Sequence, residues 1–494
     1  MKKSPYILAL DCGTTGNRAM AVDAQGRIAT SSYAEFTQYY PKPGWVEHDA
    51  EEIWQATLKA ARTVVKSMRG RKLQGIGITN QRETLVVWDK QTGKPAHKAI
   101  VWQCRRTADL CAKLKRQGRE KSIHTKTGLF LDPYFTGTKI LWLTREFPKI
   151  KAGLQSGKLI CGTIDTWIAW KLTSGKTFVT DPTNASRTLL YNLRTHRWDP
   201  ELCKLMGVPM KALAKVVPSC GVSGTIDARW FGTAAPLAGI AGDQQSAAFA
   251  QGCSPEGIVK NTYGTGLFVV ADTGSRIVLS DKLITTVAAT DTKKPRYALE
   301  GSVFIGGAAI QWLRDGLKII TSAAETEAMT RSLASNDGVY FVPALAGLGC
   351  PYWDPKARGL IIGLTRSTRR EHLVRACLES LAYQTRDVLE LVRKESKLPV
   401  KRLRVDGGAV RNDFLMQFQA DIAGCEVERP KLNETTALGA AALAGIATGM
   451  WRNAAAFLRN RKVDKVFHPR MKSSEREKLY TAWRRAAQRS LDWA

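Results

Sequence analysis

Two short stretches in opposite halves of the chain limit its architecture more than anything else. Residues 8–23, LALDCGTTGNRAMAVD, set two apolar runs around a Gly-Thr-Thr-Gly turn. Residues 260–274, KNTYGTGLFVVADTG, set apolar β-prone sequence around Gly-Thr-Gly. Each predicts a β-hairpin. One such unit per half predicts two domains of related architecture facing one another, and 494 residues are too many for a single core. The Gly and Pro of AQGCSPEG (250–257) mark the boundary, giving domains 1–252 and 253–494.

The surrounding pattern is mixed α/β. YILALDC, NRAMAVD and RIATSSYAEF read as three successive strands. Asp49 and Glu52 then have capping-box spacing, and Ile53, Ala56, Ala60, Val64 and Met68 share one helical face. LQGIGITNQ follows as a short buried strand running into polar residues. The second half carries a long amphipathic helix over 371–393 and, over 400–412, a strand entering a Gly-Gly turn.

Composition removes several classes of function. Lys and Arg number 74 against 44 Asp and Glu, a net charge of +30. An excess of that size attracts anions in general. The basic residues are spread along the chain, however, which reads as solvated side chains and not as a nucleic-acid-binding tract. The basic C-terminal stretch is interrupted by Glu475, Glu477 and Asp492 and predicts a charged surface helix. Ten cysteines show neither Cys-x-x-Cys nor zinc spacing, which predicts reduced thiols. Asp11 cuts the first apolar run too short for a signal peptide. No apolar stretch approaches a membrane span. ALGAAALAGIATGMW (437–451) fits a tightly packed helix. The expectation is a soluble, cytoplasmic protein.

The familiar nucleotide motifs fail. WKLTSGKT (170–177) has Trp170 where a P-loop needs glycine, and the Gly-Thr-Gly turn has Val269 where a dinucleotide fingerprint needs one. In DCGTTGNR, Gly13 and Gly16 permit a tight turn with exposed N–H groups, Thr14 and Thr15 add hydroxyls, and Arg18 adds a fixed cation for phosphate oxygens. Asp11 could hold a hydrated Mg²⁺. Taken alone, the stretch is also read as an ordinary Gly-rich hairpin. In IAGDQQSAAFAQG (240–252), Asp243 reads as a helix N-cap or as a general base at a domain interface. In GITNQRETLVVW (77–88), Arg82 and Glu83 close a buried strand. They read as a surface ion pair or as a donor–acceptor pair bracketing two neighbouring hydroxyls.

These segments occur together with YPKPGWVEHD (40–49), AIVWQCRRT (99–107), LDPYFTGTKILWL (131–143), DPTNASRTLLYN (181–192), ALEGSVFIGGAAIQWLRD (298–315), GLIIGLTRSTRREHLVRACLES (359–380) and RVDGGAVRNDFLMQFQ (404–419). In that order they resemble the FGGY family of carbohydrate kinases, and within it the glycerol kinases, from about Tyr6 to the last helix. The resemblance implies two ribonuclease-H-like domains with the active site in the cleft between them. Hairpin turns from both domains would hold the phosphates of ATP, so no P-loop is needed. The implied activity is ATP-dependent phosphorylation of glycerol to sn-glycerol 3-phosphate. Other readings are a kinase for another small polyol or sugar, and a non-catalytic nucleotide-binding protein on this fold.

By the same resemblance Asp243 would be the catalytic base. Arg82, Glu83, Tyr134 and Gln244 would hydrogen-bond glycerol, and Trp102 and Phe268 would pack on its carbon side. Thr14, Thr15, Arg18 and Thr265 would contact the ATP phosphates. Gly307, Gln311, Gly408 and Asn412 would line the adenosine site, and Asp11 would hold Mg²⁺. The expected assembly is a homo-oligomer, dimer or tetramer. The family usually carries Gln where Cys12 stands and Ser or Thr near Gly16 and Asn17, which implies a hairpin short of one or two hydroxyls and weaker ATP binding. Arg411 stands where a small residue is more usual, beside the adenosine site. Some members are inhibited by fructose 1,6-bisphosphate through a Gly-rich loop with a basic residue. Here TIDARWFGTAAPLAG (225–239) keeps Arg229 without the run of glycines, so weak or absent inhibition is expected.

Overall fold

Strands form where apolar runs can be sealed on both faces or alternate with polar residues. In the computed structural model, which describes residues 4–494, β1 (Tyr6–Cys12), β2 (Gly16–Asp23) and β3 (Ile28–Glu35) make an antiparallel meander. β4 (Leu73–Asn80) runs parallel to β1. β5 (Cys220–Thr225) and β6 (Pro236–Gly242) complete a six-stranded sheet of order β5-β6-β4-β1-β2-β3.

The second half repeats this plan. β7 (Ile258–Tyr263), β8 (Leu267–Gly274), β9 (Ile284–Ala288), β10 (Arg296–Val303), β11 (Arg402–Gly407), β12 (Glu426–Pro430) and β13 (Val463–Phe467) form a seven-stranded sheet of order β9-β10-β8-β7-β11-β12-β13. The rows β3-β2-β1-β4-β6 and β10-β8-β7-β11-β12 correspond strand for strand, an antiparallel meander followed by two parallel strands. This is the two-domain α/β architecture the sequence implied, and both Gly-Thr turns join the first two strands of their meanders.

The helices fill in the layers. α1 (Ala50–Ser67) starts at Asp49, whose carboxylate accepts the Glu51 and Glu52 N–H groups. The capping box does not close, because Glu52 reaches outward to the Thr37 N–H and the Tyr39 hydroxyl. The predicted apolar face, Ile53 through Met68, is buried. α2 (Asp243–Ala250) leaves the end of β6. α3 (Gly307–Asp315), α4 (Arg370–Ser396) and α5 (Asp413–Ala423) pack in the second half. α4 extends the predicted helix at both ends.

α6 (Thr435–Ala447) reaches back to the first sheet. It is late in the sequence, yet it packs on α2 and across β4, β6 and β1 of the first sheet. Glycine makes that approach possible. A Cβ on Gly77 of β4 would lie 2.1 Å from the Ala440 carbonyl oxygen, and one on Gly239 of β6 would lie 2.7 Å from the Ala444 nitrogen. α6 thus packs the second half of the chain against the first sheet. No helix among the described residues is long and apolar enough to cross a membrane.

Candidate active site

Strand alternation sorts the residues of the first hairpin onto two faces. Asp11 of β1 stands opposite Arg18 of β2, which stands opposite Tyr33 of β3. Cys12 pairs with Asn17 and turns the other way. The Cys12 thiol lies 3.8 Å from the Thr57 hydroxyl of α1, and the Asn17 amide donates to that hydroxyl at 2.6 Å and to the Ile53 carbonyl at 2.8 Å. Both side chains belong to the buried interface with α1, so their departure from the family pattern removes no hydroxyl from the face that Asp11 and Arg18 share. At Gly16, a Cβ would sit 2.5 Å from the Tyr33 hydroxyl, which lies 3.3 Å from the Thr15 hydroxyl. A phenol therefore occupies the place of a side chain at 16. Arg18 pairs with Glu434, just before α6, at 2.5 Å.

The turn itself is held from outside. The Gln81 amide donates to the Gly13 carbonyl at 3.1 Å, and the Trp102 indole N–H donates to the Thr14 hydroxyl at 3.0 Å. Trp102 also meets Tyr134 edge to face, ring centres 5.6 Å apart. The contacts then continue inward. Arg82 donates to the Tyr134 hydroxyl at 3.3 Å, and its Nε lies 3.1 Å from Asp243 Oδ1.

Arg82 and Glu83 follow β4 and are both 2% exposed, which excludes a surface ion pair. Asp243, the first residue of α2, keeps 31% of its side chain accessible and is the most open of the three. Gln244 donates to Asp243 through both its backbone N–H (2.7 Å) and its amide (3.1 Å). Phe268 of β8 stands opposite Ser302 of β10, on the face that also bears Glu300.

Four buried charged residues complete the site, and the sequence reading did not single them out. Glu300 accepts from Arg82 through both carboxylate oxygens and from Arg187 Nη2 at 3.0 Å. Arg187 Nε also donates to Glu83 at 2.7 Å. Lys260 donates to the side-chain amide oxygen of Gln244 at 2.5 Å. Lys139 donates to the backbone carbonyls of Tyr134 (2.5 Å) and Glu83 (3.2 Å). Their signal was present: a charge inside an otherwise apolar or small-residue stretch, as in RYALEGSV and IVKNTY, needs a buried partner.

The charges set one another's protonation. Burial by itself would raise the Glu300 carboxyl, but Arg187 and Arg82 overcome that and hold it down at about 2. Burial pushes the Asp11 carboxyl up to about 7, with the Asp243 charge adding to the rise and Arg18 opposing it. Burial draws the Lys139 ammonium down to about 8 against the pull of Glu83.

A divalent cation fits beside Asp11. Among the described residues no three His, Cys, Asp or Glu side chains converge on a point. A single carboxylate strained by burial and by a second carboxylate suits Mg²⁺, which keeps waters and takes its other oxygens from phosphate.

The second hairpin turn, Gly264–Gly266, seats on the start of α3. The Thr265 carbonyl accepts the N–H groups of Gly306 (2.8 Å) and Ala308 (3.2 Å), and the Gly264 carbonyl accepts that of Gly307 (2.8 Å). Thr265, Gly307 and the exposed Gln311 are thus brought together. Gly408 follows β11 and has open space where a side chain would stand. Asn412 caps α5, its side-chain Oδ1 accepting the Leu415 N–H and its amide N–H₂ donating to the Thr326 hydroxyl at 3.1 Å. Arg411 is exposed to solvent.

Comparison with known proteins finds relatives over the full length of the chain. The family model "FGGY family of carbohydrate kinases, N-terminal domain" matches residues 6–250, and its C-terminal counterpart matches 259–448. The chain is 52% identical to glycerol kinase 2 of Thermotoga maritima and 53% identical to the glycerol kinase of Petrotoga mobilis, each over 99% of both chains. It superposes on the crystal structure of Plasmodium falciparum glycerol kinase with ADP at a TM-score of 0.93 and 36% identity, covering 99% of this chain and 98% of the other. A xylulose kinase from Lactobacillus acidophilus, at 24% identity and a TM-score of 0.89, shares the fold.

Proposed function

We propose that this chain, which belongs to the FGGY family of carbohydrate kinases, transfers the terminal phosphoryl group of ATP to glycerol, giving sn-glycerol 3-phosphate. The observation that carries the reading is the unbroken run of contacts from Thr14 in the phosphate turn through Trp102, Tyr134 and Arg82 to Asp243. It joins a phosphate-holding turn to an accessible carboxylate through groups that can bind hydroxyls. Full-length similarity to glycerol kinases supports the choice of substrate.

In this mechanism Arg82 and Tyr134 donate to the hydroxyls of glycerol while Glu83 and Gln244 accept. Trp102 and Phe268 cover its carbon side. A small triol offers little apolar area, so such directed hydrogen bonds must supply the discrimination. Asp243 takes the proton from a terminal hydroxyl as that oxygen attacks phosphorus. Thr14, Thr15 and Arg18 from the first hairpin and Thr265 from the second cradle the phosphates, and Gly307, Gln311, Gly408 and Asn412 line the adenosine. Asp11 would hold Mg²⁺ through water; when bound, the ion neutralises charge on the phosphate oxygens. Phosphoryl transfer needs this positioning and neutralisation more than covalent help. Apposition of the two halves excludes water that would otherwise compete for the phosphoryl group. The reading includes a cytoplasmic, homo-oligomeric enzyme, which light scattering on the purified protein checks for assembly.

The test is ADP formation from Mg-ATP with and without glycerol, in the wild type and in Asp243→Asn. Loss of a general base lowers turnover by about 10²–10⁴-fold. Turnover of a larger polyol in place of glycerol overturns the substrate. No turnover on any polyol overturns the function.

A further inference from the structure

The second sheet sends two charged side chains into the hydroxyl-binding set of the first half. Lys260 of β7 stands opposite Val270 of β8, which stands opposite Glu300 of β10. The three form one row across the sheet, with their side chains on one face. That face packs on α2, where Val270 meets Ala248. Val270 acts as the apolar support, and the two charges pass on either side of it. Glu300 bonds Arg82 and Arg187, and Lys260 bonds Gln244.

The chemistry makes this row decisive for orientation. Arg82, Arg187 and Lys260 face Glu83, Glu300 and Asp243, three cations against three anions, and all but Asp243 are almost fully buried. Without Glu300, Arg82 keeps two carboxylates at its Nε, Asp243 at 3.1 Å and Glu83 at 3.6 Å, and the nearer of them is Asp243. The guanidinium would then turn from substrate hydroxyls toward the base. Arg187 would lose one of its two acceptors and with it the fixed orientation it gives Glu83.

Building on the function proposed above, we infer that Glu300 and Lys260 are positioning residues for the polyol. Although they belong to the half that holds adenosine, they set affinity for glycerol and not for ATP. The polyol site is therefore complete only when the two halves are apposed.

The experiment measures KM for glycerol and for ATP, kcat and thermal midpoint in the wild type, Glu300→Gln and Lys260→Met. Glutamine keeps the volume of Glu300 but turns an N–H₂ toward guanidinium donors. The expected result is a rise of tenfold or more in glycerol KM for Glu300→Gln and a smaller rise for Lys260→Met, with ATP KM within twofold of wild type. Removing one partner of a buried ion pair is strongly destabilising. If Glu300→Gln does not accumulate as folded protein, Lys260→Met, together with calorimetric glycerol binding in the absence of nucleotide, decides the matter. Unchanged glycerol KM in the folded variants, or a rise in ATP KM instead, overturns the positioning role and leaves the function standing. A wild type without glycerol-dependent ADP formation overturns the function itself.

Discussion

Gly439→Ala tests whether the seat of α6 fixes Asp243, the proposed base. Gly439 lies where α6 crosses α2. A Cβ there would fall 2.0 Å from the Ser246 carbonyl oxygen and 2.6 Å from its carbonyl carbon and hydroxyl. Ordinary contact begins at 3.4 Å, so the two helices must part by about 1.4 Å in a close-packed interior. Overpacking of this kind costs about 1–3 kcal/mol. Ala in place of a helical Gly returns up to about 1 kcal/mol. A clash against rigid backbone places the overpacking cost in the upper part of its range, about 2–3 kcal/mol, so the net loss is about 1–2 kcal/mol, or roughly 2–8 °C in thermal midpoint for a domain of this size. Ser246 is one turn from Asp243, and α2 takes part of the displacement. A shift approaching 1 Å at the reacting groups can cost about 100-fold in rate, so kcat for glycerol should fall about 10- to 100-fold. Gly221→Ala in β5, whose nearest new neighbour would be 3.8 Å away, is the control and should match wild type in both respects. Thermal melts and steady-state ADP release suffice. A wild-type midpoint would refute the close approach. A lowered midpoint with wild-type kcat would show that α6 alone moves, and would refute the coupling to Asp243.

Three further outcomes are expected. Trp102→Phe keeps the ring against Tyr134 but loses the hydrogen bond to Thr14; at about 1 kcal/mol for that bond, kcat/KM for ATP should fall about fivefold in a coupled ADP assay. Lys139 has its folded pKa lowered from 10.5 to about 8, so the unfolded chain binds the extra proton between those values, and the stability of the wild type relative to Lys139→Met should rise as pH climbs from about 8 to 10.5, measured by urea midpoints. Fructose 1,6-bisphosphate at micromolar concentration should leave the rate unchanged, because Arg229 already pairs with Asp227 at 3.4 Å and lies over the Trp230 ring; clear inhibition would contradict this.

Much of the fold was legible because the informative signals are local. Apolar runs around Gly-Thr turns specify hairpins, and five apolar positions at helical spacing specify the buried face of α1. The segment 437–451 announced tight packing through its small residues, though not what it packs against. Arg82 and Glu83 could be nominated because they close a predicted strand, where α/β folds gather ligands, and Asp243 because it stands between a short apolar run and a small-residue helix. Each also kept a bland alternative, since a helix cap or an ion pair has the same sequence pattern as a base or a hydroxyl clamp.

Faces and partners were decided only by the tertiary structure. One residue of register turns Cys12 and Asn17 toward α1 and Asp11 and Arg18 the other way, so a departure from the family pattern at Cys12 or Asn17 does not reach the face that Asp11 and Arg18 share. Glu300 and Lys260 find Arg82 and Gln244 from more than a domain's length of sequence away in one case and across the interdomain linker in the other. Nothing local in RYALEGSV states which cation will balance its glutamate. The sequence by itself determined two related hairpins, a mixed α/β order and the residue types a phosphoryl transfer needs. The tertiary structure determined which charges meet, because the cost of an unpaired buried charge is settled only when sheets and helices from both halves close around it.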